Sequence, residues 1–392
     1  MAKRTIGIGI IGMGWMGTVH SRAYRMVPDR FRDCDISPKL VICADEVEAR
    51  ADEARQRFGF VRSTADWRRV LDDPGVDVVN IATPNHLHLE LVKAAAAAGK
   101  HIHCEKPVGR NPRETAEMEQ ATREAGVLTF VGFNYRWAPA VQRCRELIHE
   151  GKLGDLTHYR GWLLVGYVSN PHSVLSWRLQ ADYAGMGVLG DMMSHAIDMA
   201  MMLSGSIKRV VAQKETFIKE RPLATPGQGD HYSVNRDGPT AAVTNEDYVS
   251  ALIQFHSGVR GTLETCRVIQ GPQSEIGFSV HGTGGAVRWD FERMNEFELY
   301  FAQEEQDRGF RRVLAGPDHP LHANFSPGAG IGLGYDDLKT IEAYHFMRSI
   351  AQGRQAEPGF AQALAVAQVQ DAIGRSWETE RWEDVRELNQ RA

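Results

Sequence analysis

Two stretches of this chain hold residues in spacings that chemistry can use. The first is Gly12-Met13-Gly14-Trp15-Met16-Gly17, a glycine fingerprint that directly follows the apolar run 6–11. Three glycines between a strand and a helix suit phosphate binding. Gly12 makes the tight turn, Gly14 lets backbone approach a pyrophosphate, and Gly17 lets the helix pack closely on the strand. The helix start at Trp15 and Met16 offers free N–H groups and a partial positive charge. The second stretch runs from Gly187 to His195, with Asp191 and His195 four apart and Asp198 three further on. On one helix all three share a face. Such a set could move protons or bind a metal; equally, Asp191 could complement a positive helix start and His195 could be a half-buried, hydrogen-bonded histidine. No third ligand clusters with them, and His86-x-His88 and His101-x-His103 each lack a completed set, so no metal is expected.

A dinucleotide fold also needs an acid at the end of its second strand. Asp45 closes the apolar run 39–44, where a carboxylate accepts hydrogen bonds from the adenosine ribose hydroxyls. It stands 28 residues beyond Gly17, against a usual interval of about 20. The excess falls in 28–38, read as a polar, proline-bounded insertion between the first helix and the second strand. The same carboxylate repels the extra phosphate of NADP, and no Arg or Lys follows at once. NAD is therefore the expected cofactor, with Arg50 one turn on keeping NADP as the lesser possibility.

These residues need a frame to hold them. Strands expected at 6–11, 39–44, 77–82, 101–104 and 128–132 alternate with helices at 15–26, 46–58, 88–98 and 112–125, the rhythm of a doubly wound parallel sheet. Ligands bind beyond the carboxyl ends of such strands. Gly14, Asp45, Asn85 and Lys106 all fall there. From about residue 135 the rhythm changes. A helix at 139–150 leads to strands at 156–165, 210–218, 248–255, 259–268, 276–281, 286–291 and 298–301. Tight turns at 256–258 and 282–285 argue for a mostly antiparallel sheet with helices on one face. Its other face needs cover, and a second subunit is the simplest candidate. Segments 221–245 and 316–334 read as loops. The expected architecture is α/β plus α+β: a dinucleotide-binding Rossmann domain over 1–133, then a substrate-binding and oligomerisation domain with an open-faced sheet over 134–392. The C-terminal helices are free to pack back on the first domain.

Bulk properties narrow the partners. With 392 residues, the chain is long enough for two cores. A net charge of −5 gives no reason to invoke nucleic acid or an anionic membrane. No apolar run approaches the length of a membrane span, and the first residues leave no room for a cleavable signal. Five scattered cysteines without a Cys-x-x-Cys pair suit reduced thiols, so a cytoplasmic location is expected.

In order, the glycine fingerprint, Glu105-Lys106-Pro107 after a strand, and Gly187-x-x-x-Asp191-x-x-x-His195 resemble the Gfo/Idh/MocA oxidoreductase family over nearly the whole chain. Asn134-Tyr135-Arg136, Ser176-Trp177-Arg178 and Ala315-Gly316-Pro317 are most similar to its dehydrogenases of sugars, anhydrosugars and cyclitols. Met186 departs from the pattern, since many members carry glycine there. The resemblance implies a catalytic set of Lys106, Asp191 and His195, and a homodimer or homotetramer. Oxidising a secondary alcohol sends hydride to the nicotinamide and the hydroxyl proton to a base. His195, titrating nearest neutrality, is the expected base, and Lys106 stabilises the developing alkoxide. Lys106 is the rival base, because a positive nicotinamide would depress its pKa. Asp191 orients either one and binds a neighbouring hydroxyl.

The same resemblance implies a cis peptide between Lys106 and Pro107. Thr83, Asn85, His88, Glu105 and Asn134 are implied to line the nicotinamide side, and Trp177 and Arg178 to reach cofactor or substrate. Tyr135 is a candidate to stack on a pyranose ring, as are Trp162 and Tyr167. His319, with His322 and Asn324, sits in a loop that covers a site, its own or a neighbouring subunit's, or is plain surface. A glycosidase or lyase that oxidises a sugar transiently on tightly bound NAD fits the same residues. A non-catalytic dinucleotide sensor has no need of Lys106, Asp191 and His195 together.

Overall fold

The structure is a computed structural model and describes residues 4–32, 34–224, 233–303 and 308–387. Strands β1 (Arg4–Ile11), β2 (Ile36–Ala44), β3 (Arg62–Thr64), β4 (Val78–Ile81), β5 (His101–Cys104) and β6 (Thr129–Val131) form one sheet in the order β3-β2-β1-β4-β5-β6. Every neighbouring pair is parallel. All of β4 and the last six residues of β1 are buried, which is why such strands read as unbroken apolar runs. The strand order reverses at β1 and β4, opening a crevice at their carboxyl ends.

The first helix runs Trp15–Arg30, through Pro28, and β2 already begins at Ile36. The 28–38 insertion is therefore mostly helix and strand. Pro28 stands in the last turn, where its fixed φ suits the helix and only one donation near the end is lost. Pro38 pairs with Ile6 of β1, while β3 covers only Ile42–Ala44. At Pro38, β2 is thus an edge, where a missing donor is tolerated. The short β3 and the helix Arg68–Asp72 left no clear periodicity to read.

The second half supplies β7 (Leu156–Leu164), β8 (Ile207–Glu215), β9 (Glu220–Pro222), β10 (Thr240–Ala242), β11 (Tyr248–Phe255), β12 (Arg260–Cys266), β13 (Glu275–Gly282), β14 (Gly285–Asp290), β15 (Glu296–Phe301), β16 (Arg311–Leu314) and β17 (Glu383–Asp384). Nine of them form a sheet ordered β16-β15-β14-β13-β7-β12-β11-β8-β17. It is antiparallel except where β7 lies beside β12. Both short turns join antiparallel neighbours, β11 to β12 and β13 to β14. The segment read as a loop at 221–245 instead contributes to the β9–β10 ribbon, and its residues 225–232 lie outside the described residues.

Helices Pro139–His149, Met193–Ser204 and Phe360–Thr379 lie against this sheet. The last of these also packs on Pro112–Glu124, and Tyr335–Gln352 packs along Trp15–Arg30. At that seam Phe31 stacks on Tyr344 with ring centres 3.8 Å apart. The C-terminal helices therefore do close back on the dinucleotide sheet. Among the described residues, no helix is long and apolar enough to cross a membrane.

Candidate active site

β1 turns out of the sheet through Gly12, whose φ of 91° lies in the left-handed region open to glycine. A Cβ on Gly17 would come within 1.9 Å of the Gly12 carbonyl oxygen, so the helix seats on this turn only because Gly17 lacks one. Gly14 caps the helix and has no neighbouring atom within 4 Å of where its Cβ would stand. That open space faces free N–H groups, the setting in which a phosphate binds. Asp45 accepts from Met13 N at 2.8 Å and from Val47 N at 3.0 Å, and pairs with Arg50 at 3.1 Å. Its carboxylate is pinned beside the fingerprint, where a ribose acceptor has to stand.

Thr83 and Asn134 follow β4 and β6. Thr83 Oγ1 and Asn134 Nδ2 are buried and have no hydrogen-bond partner among the described residues. Buried polar atoms are rarely left so. A phosphate cradle, a fixed acid and two unused polar atoms along one sheet edge fit NAD.

At the other end of the crevice, β5 runs into Glu105-Lys106-Pro107, and the Lys106–Pro107 peptide is cis. Lys106 Nζ donates to Asp191 Oδ1 at 2.6 Å and to the Asp191 carbonyl at 2.9 Å. Asp191 closes a short turn, Val188–Asp191, which Glu246 holds by accepting Leu189 N at 2.9 Å. The helix breaks at Met192 and resumes as Met193–Ser204. The single continuous face expected for Asp191, His195 and Asp198 is therefore not formed. Asp198 serves elsewhere, binding Arg136 through two hydrogen bonds of 3.0 and 2.6 Å. That pair tethers the Asn134–Trp137 turn, which sets Tyr135 edge-on to His195 with ring centres 4.7 Å apart.

The charges in this cluster act on one another. Burial alone would push the Asp191 carboxyl up, but the Lys106 ammonium, seconded by Arg178, outweighs it and holds the group well below the usual carboxylate range. About a third of the Asp191 side chain, 32%, remains exposed to the cleft. His195 goes down instead. Burial, then the positive charges of Lys106 and Lys339, push its imidazole well below the ordinary value, against the opposing pull of Glu105 and Asp191. At neutral pH it is an uncharged acceptor. Arg178 lies over the Trp177 ring at 4.3 Å. Lys106, Asp191, His195, Tyr135 and Arg178 thus come together.

Other expected contacts resolve differently. Asn85 Nδ2 donates to the Ala184 carbonyl at 3.1 Å, tying the two halves together. Both ring nitrogens of His88 face backbone carbonyls, Thr83 at 3.0 Å and Pro107 and Val108 at 3.1 Å. His88 thereby braces the turn that carries Lys106. Glu105 is also occupied, its Oε1 accepting from His20 and Lys339, each at 2.7 Å. His319 accepts from Gly316 N at 2.9 Å and rests its ring against Phe297. The structure does not bring it into the cluster. Asn324 donates to the Arg30 carbonyl at 3.1 Å, fastening that loop to the end of the first helix. Trp162 lies over Gly277 within the sheet.

Two residues escaped the sequence reading. Tyr335 stacks on Trp15 at 5.6 Å and stands edge-on to Tyr135 at 6.3 Å. Lys339 is buried, one turn further along the same helix. The only available signal was a Lys-x-x-Glu pair, Lys339 and Glu342, set among Leu338, Ile341 and Phe346. Among the described residues, His20, His103 and Glu342 have metal-ligand spacing. The Lys339 ammonium, 3.1 Å from Glu342 Oε1, already supplies the positive charge there.

Comparison with known proteins follows the same layout. The profile described as "Oxidoreductase family, NAD-binding Rossmann fold" matches residues 6–133, and that of the "GFO/IDH/MocA C-terminal domain" matches 141–288. A levoglucosan dehydrogenase from Pseudarthrobacter phenanthrenivorans is 41% identical, spanning 98% of this chain and 100% of the relative. Myo-inositol 2-dehydrogenase from Thermotoga maritima is 28% identical over 78% of this chain and 80% of its own. A solved structure of levoglucosan dehydrogenase in complex with NADH and levoglucosan superposes with a TM-score of 0.92 at 40% identity, covering 98% of this chain and 100% of that one. Two profiles matched in order and a full-length relative at this identity lead to one conclusion: the chain belongs to the Gfo/Idh/MocA oxidoreductase family.

Proposed function

We propose that this protein is an NAD-dependent dehydrogenase that oxidises a secondary ring hydroxyl of a sugar, a levoglucosan-like anhydrosugar or a cyclitol to the ketone. The observation that carries this reading is the 2.6 Å contact of Lys106 Nζ with Asp191 Oδ1, beside an uncharged, buried His195. Bound NAD supplies the hydride acceptor. Lys106 holds the substrate oxygen and stabilises its negative charge as the C–H bond breaks. His195 takes the hydroxyl proton: it is uncharged, with a ring nitrogen able to accept, and the negative charge developing on the substrate oxygen restores basicity that burial and the two lysines take away. Asp191 fixes the direction of the lysine and accepts from an adjacent hydroxyl. Tyr135 offers a ring face to the sugar's C–H surface. Thr83 and Asn134 supply polar atoms to the cofactor, and Trp177 and Arg178 close the cleft from the second half.

The open face of the nine-stranded sheet, where Leu252 is 53% exposed, supports assembly into a homodimer or homotetramer through that sheet. Five free cysteines support a reducing, cytoplasmic setting. The test is absorbance at the NADH wavelength across pyranoses, anhydrosugars and inositols, repeated with NADP. NADH accumulating in proportion to ketone is the expected result, with NADP slower. Substrate consumed without net NADH would replace this reading with transient, internally returned oxidation.

A further inference from the structure

Behind the Lys106 turn lies a buried polar chain drawn from three elements. The Lys339 ammonium donates to Glu105 Oε1 at 2.7 Å and to Glu342 Oε1 at 3.1 Å. His20, on the fingerprint helix, reaches the same Glu105 oxygen at 2.7 Å. His103 of β5 contacts Glu342 Oε1 at 3.1 Å and accepts from the Tyr24 hydroxyl at 2.9 Å. Glu105 Oε2 accepts the backbone N–H of Lys106 at 3.3 Å. The carboxylate reaches this spot because residue 132 is glycine; a Cβ there would come within 2.7 Å of Oε1. Lys339 and Glu105 are both charged: burial would neutralise each, but the partners overcome it, raising the ammonium and holding the carboxyl well down.

A buried ion pair is weak evidence for stability, because desolvation offsets much of its attraction. It does fix geometry. Glu105 is the residue before Lys106, and its carboxylate accepts the Lys106 backbone N–H, so where the carboxylate is held bears directly on that backbone. We infer that Lys339 is a positioning residue for Lys106: by holding the Glu105 carboxylate, it sets where the Lys106 backbone leaves β5 and so aims the side chain at Asp191. The inference rests on the proposed role of Lys106 and deepens it. It gives the helix Tyr335–Gln352 a part in the reaction, through a lysine 234 residues beyond Glu105 in sequence.

The experiment compares Lys339→Met, Lys339→Gln and Lys106→Ala in the full-length protein, with turnover normalised to sites counted by NADH binding. Lys339→Met is expected to lower kcat per site by about 10-fold to 100-fold, the scale of a small misplacement of a reacting group. Sugar KM and NADH Kd should stay within roughly threefold. The acid limb of the kcat/KM profile should move to higher pH. The charged groups facing His195 are Lys106, Lys339, Glu105 and Asp191, and the variant removes one of the two positive ones. Lys339→Gln keeps an N–H donor for Glu105 and should recover part of kcat; if the Met variant does not fold, Gln against the native protein carries the same test. A purely structural lysine would lose binding sites and melting temperature while per-site kcat and the pH profile stayed put, and that result overturns the inference. Turnover retained in Lys106→Ala would instead remove the reading on which it rests.

Discussion

At the phosphate end of the cleft the determinants are missing atoms. At the reacting end they are charges brought from far apart. Gly12, Gly14 and Gly17 make room within one turn of chain, and the open space at Gly14 needs nothing else to exist. Lys106 and Asp191, in contrast, are 85 residues apart, and Glu105 and Lys339 are 234 apart. The first end is a property of local backbone and the second a property of the finished fold. Damage should therefore differ in kind, with binding lost at one end and turnover lost at the other.

The largest effect on cofactor binding is expected at Gly17. In Gly17→Val the new side chain cannot share space with the Gly12 carbonyl, so the helix start must move off the turn. NAD binding measured by calorimetry should weaken by roughly 100-fold or more, about 2.7 kcal/mol. Binding within threefold of native would break the comparison at its phosphate end. Asp45→Ser comes next. It removes the carboxylate and frees Arg50, which now rests on it at 3.1 Å. The ratio of kcat/KM for NAD over NADP should fall by about 10-fold to 100-fold; an unchanged ratio would place cofactor discrimination elsewhere.

Stability itself should depend on pH through two buried histidines away from the reacting atoms. His20 and His345 are both pushed down to about 4, chiefly by burial, with Lys339 acting further on His20 and Arg348 on His345. In the unfolded chain both titrate near 6.5. As pH falls through 6.5 the unfolded state takes up protons that the folded state refuses, so stability drops between about 6.5 and 4. Each could remove up to about 3 kcal/mol by the lower limit. A melting temperature that stayed level from pH 7 to 4.5 would contradict the buried, neutral state of these rings.

What the sequence disclosed follows the same division. The fingerprint, Asp45 and the Glu-Lys-Pro sequel of β5 each follow a strand-like run, so the parallel-sheet rhythm and the glycine turn were legible in composition and spacing. Proline was over-read: Pro28 and Pro38 looked like breakers, yet one sits in a last helical turn and the other where β2 forms the sheet edge. For His88 and Glu105 the turn was legible but not the protein partners, since only the fold brings the Thr83 carbonyl to the one and His20 and Lys339 to the other. Tyr335 had no local signature, and Lys339 only its Lys-x-x-Glu spacing to Glu342. They reach the site because Tyr335–Gln352 packs along Trp15–Arg30, a contact between opposite ends of the chain.

The central claim concerns one ammonium and one imidazole acting on a single hydroxyl, and Lys106→Ala tests it most directly. Turnover and NAD binding should be measured on the same preparation. In Lys106→Ala, kcat should fall by about 10³-fold or more with NAD Kd within a few fold of native. Turnover near the native rate, or turnover and NAD binding lost in equal proportion, would contradict it.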